Sequence, residues 1–150
     1  MNRNTQKKIC ILTHSLDTGR GSGRFTTGFV TNLSKEAGYE VSVLTTLSGG
    51  SLAHEPILSS NPFKLLFALP HIRRFIRQSD IVHALDLFPY GIIACIAALG
   101  LKKKIVITAI GSGSIQPLYR AGVSFLAAWA CRRAHALTAI SAYVAHQMEA

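Results

Sequence analysis

Lys8-Ile9-Cys10-Ile11-Leu12-Thr13, followed by Asp17-Thr18-Gly19-Arg20-Gly21-Ser22-Gly23, is the stretch that decides the fold. The first part is a continuous apolar, β-prone run, which fits a strand covered on both faces. The second is a glycine-rich turn. Beyond it Phe25, Phe29, Val30, Leu33 and Ala37 recur at helical spacing, and Gly38 is a left-handed cap candidate. Strand, glycine loop and helix together make the first unit of a parallel α/β sheet.

The same alternation continues along the chain. Val41–Thr45 reads as the second strand, and residues 46–62, rich in Ser, Gly and Pro, as a long loop. Phe63–Arg77 is helical in pattern, with Pro70 dividing it or starting a second helix. Asp80–Leu85 is the third strand. Leu87–Leu101 is almost wholly apolar and reads as one buried helix, too short for the ~30 Å hydrocarbon core of a bilayer. Lys104–Thr108 is the fourth strand, residues 117–133 a helix, and Ala136–Ile140 the last strand. Ser141 then N-caps a final helix running to Ala150. The expected class is an α/β, Rossmann-like three-layer domain with a parallel sheet. Ligands of such sheets bind outside the carboxyl ends of the strands.

Composition narrows the partners. The 150 residues are 49% apolar and 15% charged, with a net charge of +9, so disorder is excluded. Three cysteines, all in apolar runs, fit core thiols rather than a disulfide scaffold. The N-terminus shows no secretory signal, and the expected location is cytoplasmic, with a peripheral place on the membrane face open. Residues 1–60 carry six Lys or Arg against four acids, and residues 61–150 carry ten against three. The surplus favours anionic partners. Aromatic and leucine residues beside arginines in Phe63–Arg77 fit either an anionic membrane surface or packing on the chain's own sheet. No stacking motif or recognition helix supports a nucleic-acid partner.

Two loops can meet a ligand. At Gly19, Gly21 and Gly23, bare backbone lets amides approach a phosphate, with Arg20 and Arg24 as added cations. At Gly111-Ser112-Gly113-Ser114, small hydroxyls and amides suit a phosphate or a sugar. For both, an unliganded tight turn is the alternative. The spacing is not GxGxxG, no acid ends strand two, and no GKS or GKT occurs, which argues against dinucleotide and P-loop sites. His14 ends strand one as a candidate acceptor contact. The histidines lack metal-ligand spacing, so no metal or other cofactor is implied, and spacing alone assigns no catalytic residue.

Lys8–Thr13 with its glycine loop, Ser79–Ala84, Ile105–Gly111 and Ala134–Ser141, in that order, resemble the N-terminal half of family 4 glycosyltransferases. The resemblance covers nearly the whole chain and implies one half of a GT-B fold, two Rossmann-like domains facing a cleft. It implies that Gly21, Gly23 and Arg24 approach the donor phosphates, and that His14, His83, Asp86, Gly111 and Ser112 approach the acceptor. The family's His-x-His pattern reads His83-Ala84-Leu85 here, and isoleucine stands at 110 where the family has histidine, with Ser112 and Ser114 offering hydroxyls. The paired glutamates by which the family's C-terminal domain holds the nucleotide sugar are absent: no two of Glu36, Glu40, Glu55 and Glu149 are eight apart. The expectation is therefore the acceptor-side domain of a sugar-transferring enzyme, inactive alone, its donor-binding half missing from this chain or carried by a partner. A non-catalytic subunit that binds acceptor or membrane is the alternative, and a basic nucleic-acid module the remaining one.

Overall fold

The computed structural model describes residues 6–19, 21–50 and 52–149; Met1–Thr5, Arg20, Ser51 and Ala150 lie outside the described residues. Five strands form one parallel sheet: β1 Lys7–Thr13, β2 Tyr39–Thr45, β3 Ile81–Leu85, β4 Lys104–Ala109 and β5 Ala136–Ala139. Their spatial order is β2-β1-β3-β4-β5. Six helices accompany them: α1 Gly21–Lys35, α2 Pro62–Gln78, α3 Ile92–Ala97, α4 Ser112–Tyr119, α5 Ser124–Arg133 and α6 Ala142–Glu149. The expected α/β, Rossmann-like parallel-sheet architecture is what the chain adopts.

Side chains alternate across a strand, and both faces of the central strands are covered. Cys10, Leu12, Val82, Ala84, Ile105 and Ile107 pack on one face beneath α2, α3 and α5. Ile9, Ile11, Val43 and Leu85 pack on the other beneath Phe29, Val30 and Leu33 of α1. The central strands are apolar at consecutive positions for this reason.

Several local expectations are corrected. Leu87–Leu101 is not one helix: Leu87–Gly91 is a wide turn with extended backbone at Phe88, and only Ile92–Ala97 is α-helical. Residues 117–133 are not one helix: they hold the end of α4 and all of α5, separated where Gly122 takes a φ of 80°. Pro70 neither divides α2 nor starts a helix, and α2 runs through it. Burial of Leu65, Ile72 and Ile76 on one side of α2 offsets an interior proline cost of about 3 kcal/mol. α1 ends at Lys35, ahead of Gly38, which takes a φ of 104° in the turn into β2; the Ser141 hydroxyl accepts from the amide of Val144 at 3.2 Å, as the sequence predicts.

The α1 side of the sheet also carries a polar ladder. His83 meets Thr108 at 2.7 Å through Nε2, and the Thr108 and Thr138 hydroxyls lie 2.7 Å apart. The ring of Phe29 stands edge-on to the His83 imidazole at 5.1 Å. Burial here lowers the His83 pKa from 6.5 to about 4, because the charged ring would lose its water.

Two outcomes test this packing. Ile72→Ala destabilises the fold by about 2–5 kcal/mol in urea unfolding, the range for a fully buried aliphatic truncation. His83 remains neutral in the folded state down to about pH 4. The unfolded chain binds the extra proton between those pKa values, so this residue makes stability fall as pH drops from 6.5 to about 4. A proton NMR titration of the His83 ring reads it directly, and a midpoint near 6.5 contradicts the packing.

Candidate functional site

The strand order dictates where a site can form. β1 lies between β2 and β3. The crossover from β1 to β2 passes over one face through α1, and the crossover from β2 to β3 passes over the other through α2. The loops leaving β1 and β3 therefore turn to opposite faces of the sheet, and the carboxyl ends of these two strands are where such a sheet places a ligand crevice.

His14, the first residue beyond β1, stands at that crevice. Its Nδ1 lies 2.9 Å from the hydroxyl of Tyr90, which lies 2.8 Å from the hydroxyl of Thr46 at the end of β2. Tyr90 is buried, and burial raises its phenol pKa; Thr46 opposes the rise and the charge of Asp86 adds to it. The phenol stays protonated at neutral pH and has one proton to give. When His14 accepts it, the Thr46 hydroxyl donates to Tyr90, and the imidazole proton sits on Nε2, free for a ligand hydroxyl.

Asp86, the first residue beyond β3, has φ 96° and ψ 147°. This is glycine territory, and another residue there costs about 1–3 kcal/mol. The backbone is fixed from both sides: the Asp86 amide donates to Thr108 O at 2.9 Å, and the Gly91 amide donates to Asp86 O at 3.0 Å. The side chain accepts from the Ser114 hydroxyl, and the amides of Leu87 and Ile110 beside it favour its charged form. Ser114 Oγ in turn accepts from the Leu87 amide at 3.0 Å. Burial raises the Asp86 pKa, and these three donors pull the other way. A Cβ at Gly113 would lie 2.5 Å from Asp86 Oδ2, so the bare backbone here lets α4 begin close against this carboxylate.

The two glycine loops divide into distinct duties. A Cβ at Gly23 would lie 2.0 Å from the carbonyl oxygen of Asp17, so Gly23 serves a close approach of loop to helix. Gly19 donates its amide to Asp17 Oδ1 at 2.9 Å, closing an Asx turn. Gly21 and Gly111 have nothing within 4 Å of a would-be Cβ, which leaves their backbone open to a ligand. Arg24 is exposed on the first turn of α1, and Arg20 lies outside the described residues. Ser112 opens α4 and lines a 200 Å³ hollow with Phe88, Gln116, Pro117 and Arg120. The first turns of α1 and α4 each present amides that the helix itself leaves unpaired.

The structure thus joins Asp86 to the Gly111–Ser114 loop, and His14 to Tyr90 and Thr46. His83 sits apart, mid-strand in the ladder under Phe29. Ile110 packs against the α1-side core, so it brings no polar group. Among the described residues, no three His, Cys, Asp or Glu side chains could hold a metal ion. Tyr90 and Thr46 are the residues that sequence reasoning missed. Their one signal is that Tyr90 carries the single hydroxyl in the apolar run Leu87–Leu101.

Comparison with known proteins agrees with this geometry. The model of Glycosyltransferase Family 4 matches residues 19–150. No curated protein matches the chain in sequence. Among solved structures, a protein named as a UDP-N-acetylglucosamine 2-epimerase of Listeria monocytogenes superposes with a TM-score of 0.66 at 12% identity. A UDP-GlcNAc 2-epimerase of Methanocaldococcus jannaschii superposes with a TM-score of 0.63 at 11% identity. Each alignment covers 96% of this chain and 42% of the other, so the chain spans less than half the length of either protein. At these identities the likeness is one of fold, a half of the GT-B-like architecture. With its parallel sheet, its strand order reversing at β1 and a family match over most of its length, the chain belongs to Glycosyltransferase Family 4, as an N-terminal-type Rossmann-like domain.

Proposed function

We propose that this chain is the acceptor-side half of a glycosyltransferase, whose complete form moves a hexose from a nucleotide sugar to an acceptor hydroxyl with retained anomeric configuration. The observation that carries the reading is the strained Asp86 at the switch point, tied to the α4 N-terminus by Ser114. A backbone held in a costly conformation where such a sheet places its ligand crevice is the mark of a ligand site. Retention and the hexose class come from the family.

The division of labour follows from exposure. His14, with its imidazole oriented by Tyr90, is placed to bond an acceptor or sugar hydroxyl through Nε2. Ser112 and the Gly111 backbone offer donors from the α4 side. Gly21 and Arg24 at the start of α1 are assigned to the donor diphosphate, where amides and a cation stabilise the charge of the departing group. Asp86 positions the α4 loop through Ser114 rather than meeting substrate first. His83 acts through the sheet that carries Asp86. A second Rossmann-like domain, in the same polypeptide or a partner, would hold the nucleotide.

Titrating the isotope-labelled chain with a UDP-hexose tests the site. Amide NMR signals of Gly21, Arg24, Gly111 and Ser112 shift, while those of Lys102–Lys104 at the opposite end of the sheet do not. Shifts confined to the lysines overturn the assignment. The isolated chain shows no sugar transfer and no donor hydrolysis, and appreciable turnover refutes the half-enzyme reading. Asp86→Asn, which keeps the shape and tolerates the positive φ, weakens UDP-hexose binding by about tenfold through the lost charge-assisted bonds. The melting temperature shows that the fold is retained.

A further inference from the structure

Helix α2 is apolar on two opposite sides. Leu65, Ile72 and Ile76 are buried against the sheet. Phe63, Phe67, Pro70 and Arg74 recur at i, i+4, i+7 and i+11, which puts them along the reverse side. Phe63 is 73% exposed and Phe67 84% exposed, and Leu66 beside them is 53% exposed. Nothing in the core uses these rings.

A second element extends the same surface. On α5, Phe125 is 76% exposed and Leu126 is 41% exposed. Leu66 and Leu126 line one groove of 550 Å³ with Phe88, Ile92, Ile96 and Arg120. The groove thus links Leu66, beside Phe67 on α2, to Leu126, beside Phe125 on α5, and such a grouping of exposed apolar side chains marks an interaction surface. Arg120 and Phe88 also line the hollow that holds Ser112, so this face adjoins the candidate site.

Charge identifies the occupant. Lys64, Arg74 and Arg120 are all exposed around this face. Residues 62–78 and 112–133 contain no Asp or Glu at all. Projecting phenylalanines interleaved with cations, with no acid among them, complement a surface that is apolar inside and anionic outside. We propose that this face docks the protein on an anionic lipid bilayer. Phe63, Phe67 and Phe125 enter the boundary between headgroups and acyl chains, while Lys64, Arg74 and Arg120 meet lipid phosphates. No helix among the described residues is long and apolar enough to cross a membrane, so attachment is at the surface. The proposal stands on this face alone and does not depend on the sugar-transfer reading.

Co-sedimentation of the full chain with vesicles tests it. Vesicles of equal parts phosphatidylglycerol and phosphatidylcholine bind at least about tenfold more protein than pure phosphatidylcholine, and raising salt weakens that binding by screening. Phe63→Ser with Phe67→Ser reduces binding by about tenfold, since two inserted rings are lost, and leaves the far-UV circular dichroism unchanged because both rings are exposed. Lys64→Glu with Arg74→Glu weakens binding similarly, whereas Lys102→Ala with Lys104→Ala, at the opposite end of the sheet, does not. Equal binding to neutral and anionic vesicles overturns the proposal. So does a phenylalanine variant that binds like the parent. A parent dimer that dissociates in that variant also overturns it and assigns the face to a second copy.

Discussion

The placing of β1 between β2 and β3, all parallel, is the constraint from which the rest follows. Parallel neighbours cannot be joined by a hairpin, so each connection must cross a face of the sheet. With α1 on one face and α2 on the other, the side chains of β1 must be apolar in both directions, as Ile9, Cys10, Ile11 and Leu12 are. The same crossovers send the loops beyond β1 and β3 to opposite faces, and the His14–Tyr90 contact bridges them. His14 and Asp86 owe their place on the lip of the crevice to this topology and not to any contact between them.

Asp86 shows how such a lip is made rigid. Its backbone conformation costs about 1–3 kcal/mol. The conformation is held because the Asp86 amide and carbonyl are paired with Thr108 and Gly91 and its side chain accepts from Ser114. Ser114 donates to the carboxylate, the Leu87 and Ile110 amides beside it favour its charged form, and Gly113 supplies the space. The result couples the end of β3 to the first turn of α4, so the position of the Gly111–Ser112 amides is set by a side chain from another strand. Ile110 fits this arrangement: its amide serves Asp86 while its side chain seals the α1-side core. The two ends of the rim differ accordingly, the α4 side braced by a carboxylate and the α1 side by backbone contact through Gly23.

β1, β3 and β4 are legible in the sequence because buried parallel strands are continuous apolar runs, whereas the edge strand β5 is exposed over Ala136–Thr138. The positive φ of Gly38 and the Ser141 cap are legible because both are local. The wide turn at Leu87–Gly91 was not, since an apolar run between a strand and a loop fits a helix equally well by periodicity. Tyr90 was hidden with it: its partners His14 and Thr46 are distant in sequence, and only the fold brings the three hydroxyl and imidazole groups together. Gly23 illustrates the opposite difficulty. A glycine loop predicts bare backbone, but whether the space meets a ligand or the chain's own Asp17 carbonyl depends on the path of the loop. His83 was singled out by its place in a family pattern, while its surroundings are those of a buried sheet histidine.

The net charge of +9 becomes informative only when it is divided by what each cation touches. Arg73 donates to the carbonyls of Ala97 and Leu99 at 2.7 and 2.8 Å, where the end of a helix favours a cation. Lys103 donates to the carbonyls of Arg77 and Ser79, and Lys8 lies 3.3 Å from Glu40. These charges fasten α2 and the sheet edge. Lys64, Arg74 and Arg120 lie instead beside exposed aromatic rings, on segments that carry no acid. The buried side of α2 explains why the helix exists, and its outer side has no part in that explanation. A solvent-facing position on a helix is normally free to be polar, so two phenylalanines held there by i, i+4 spacing raise the question of what covers them, and the surrounding charges answer it.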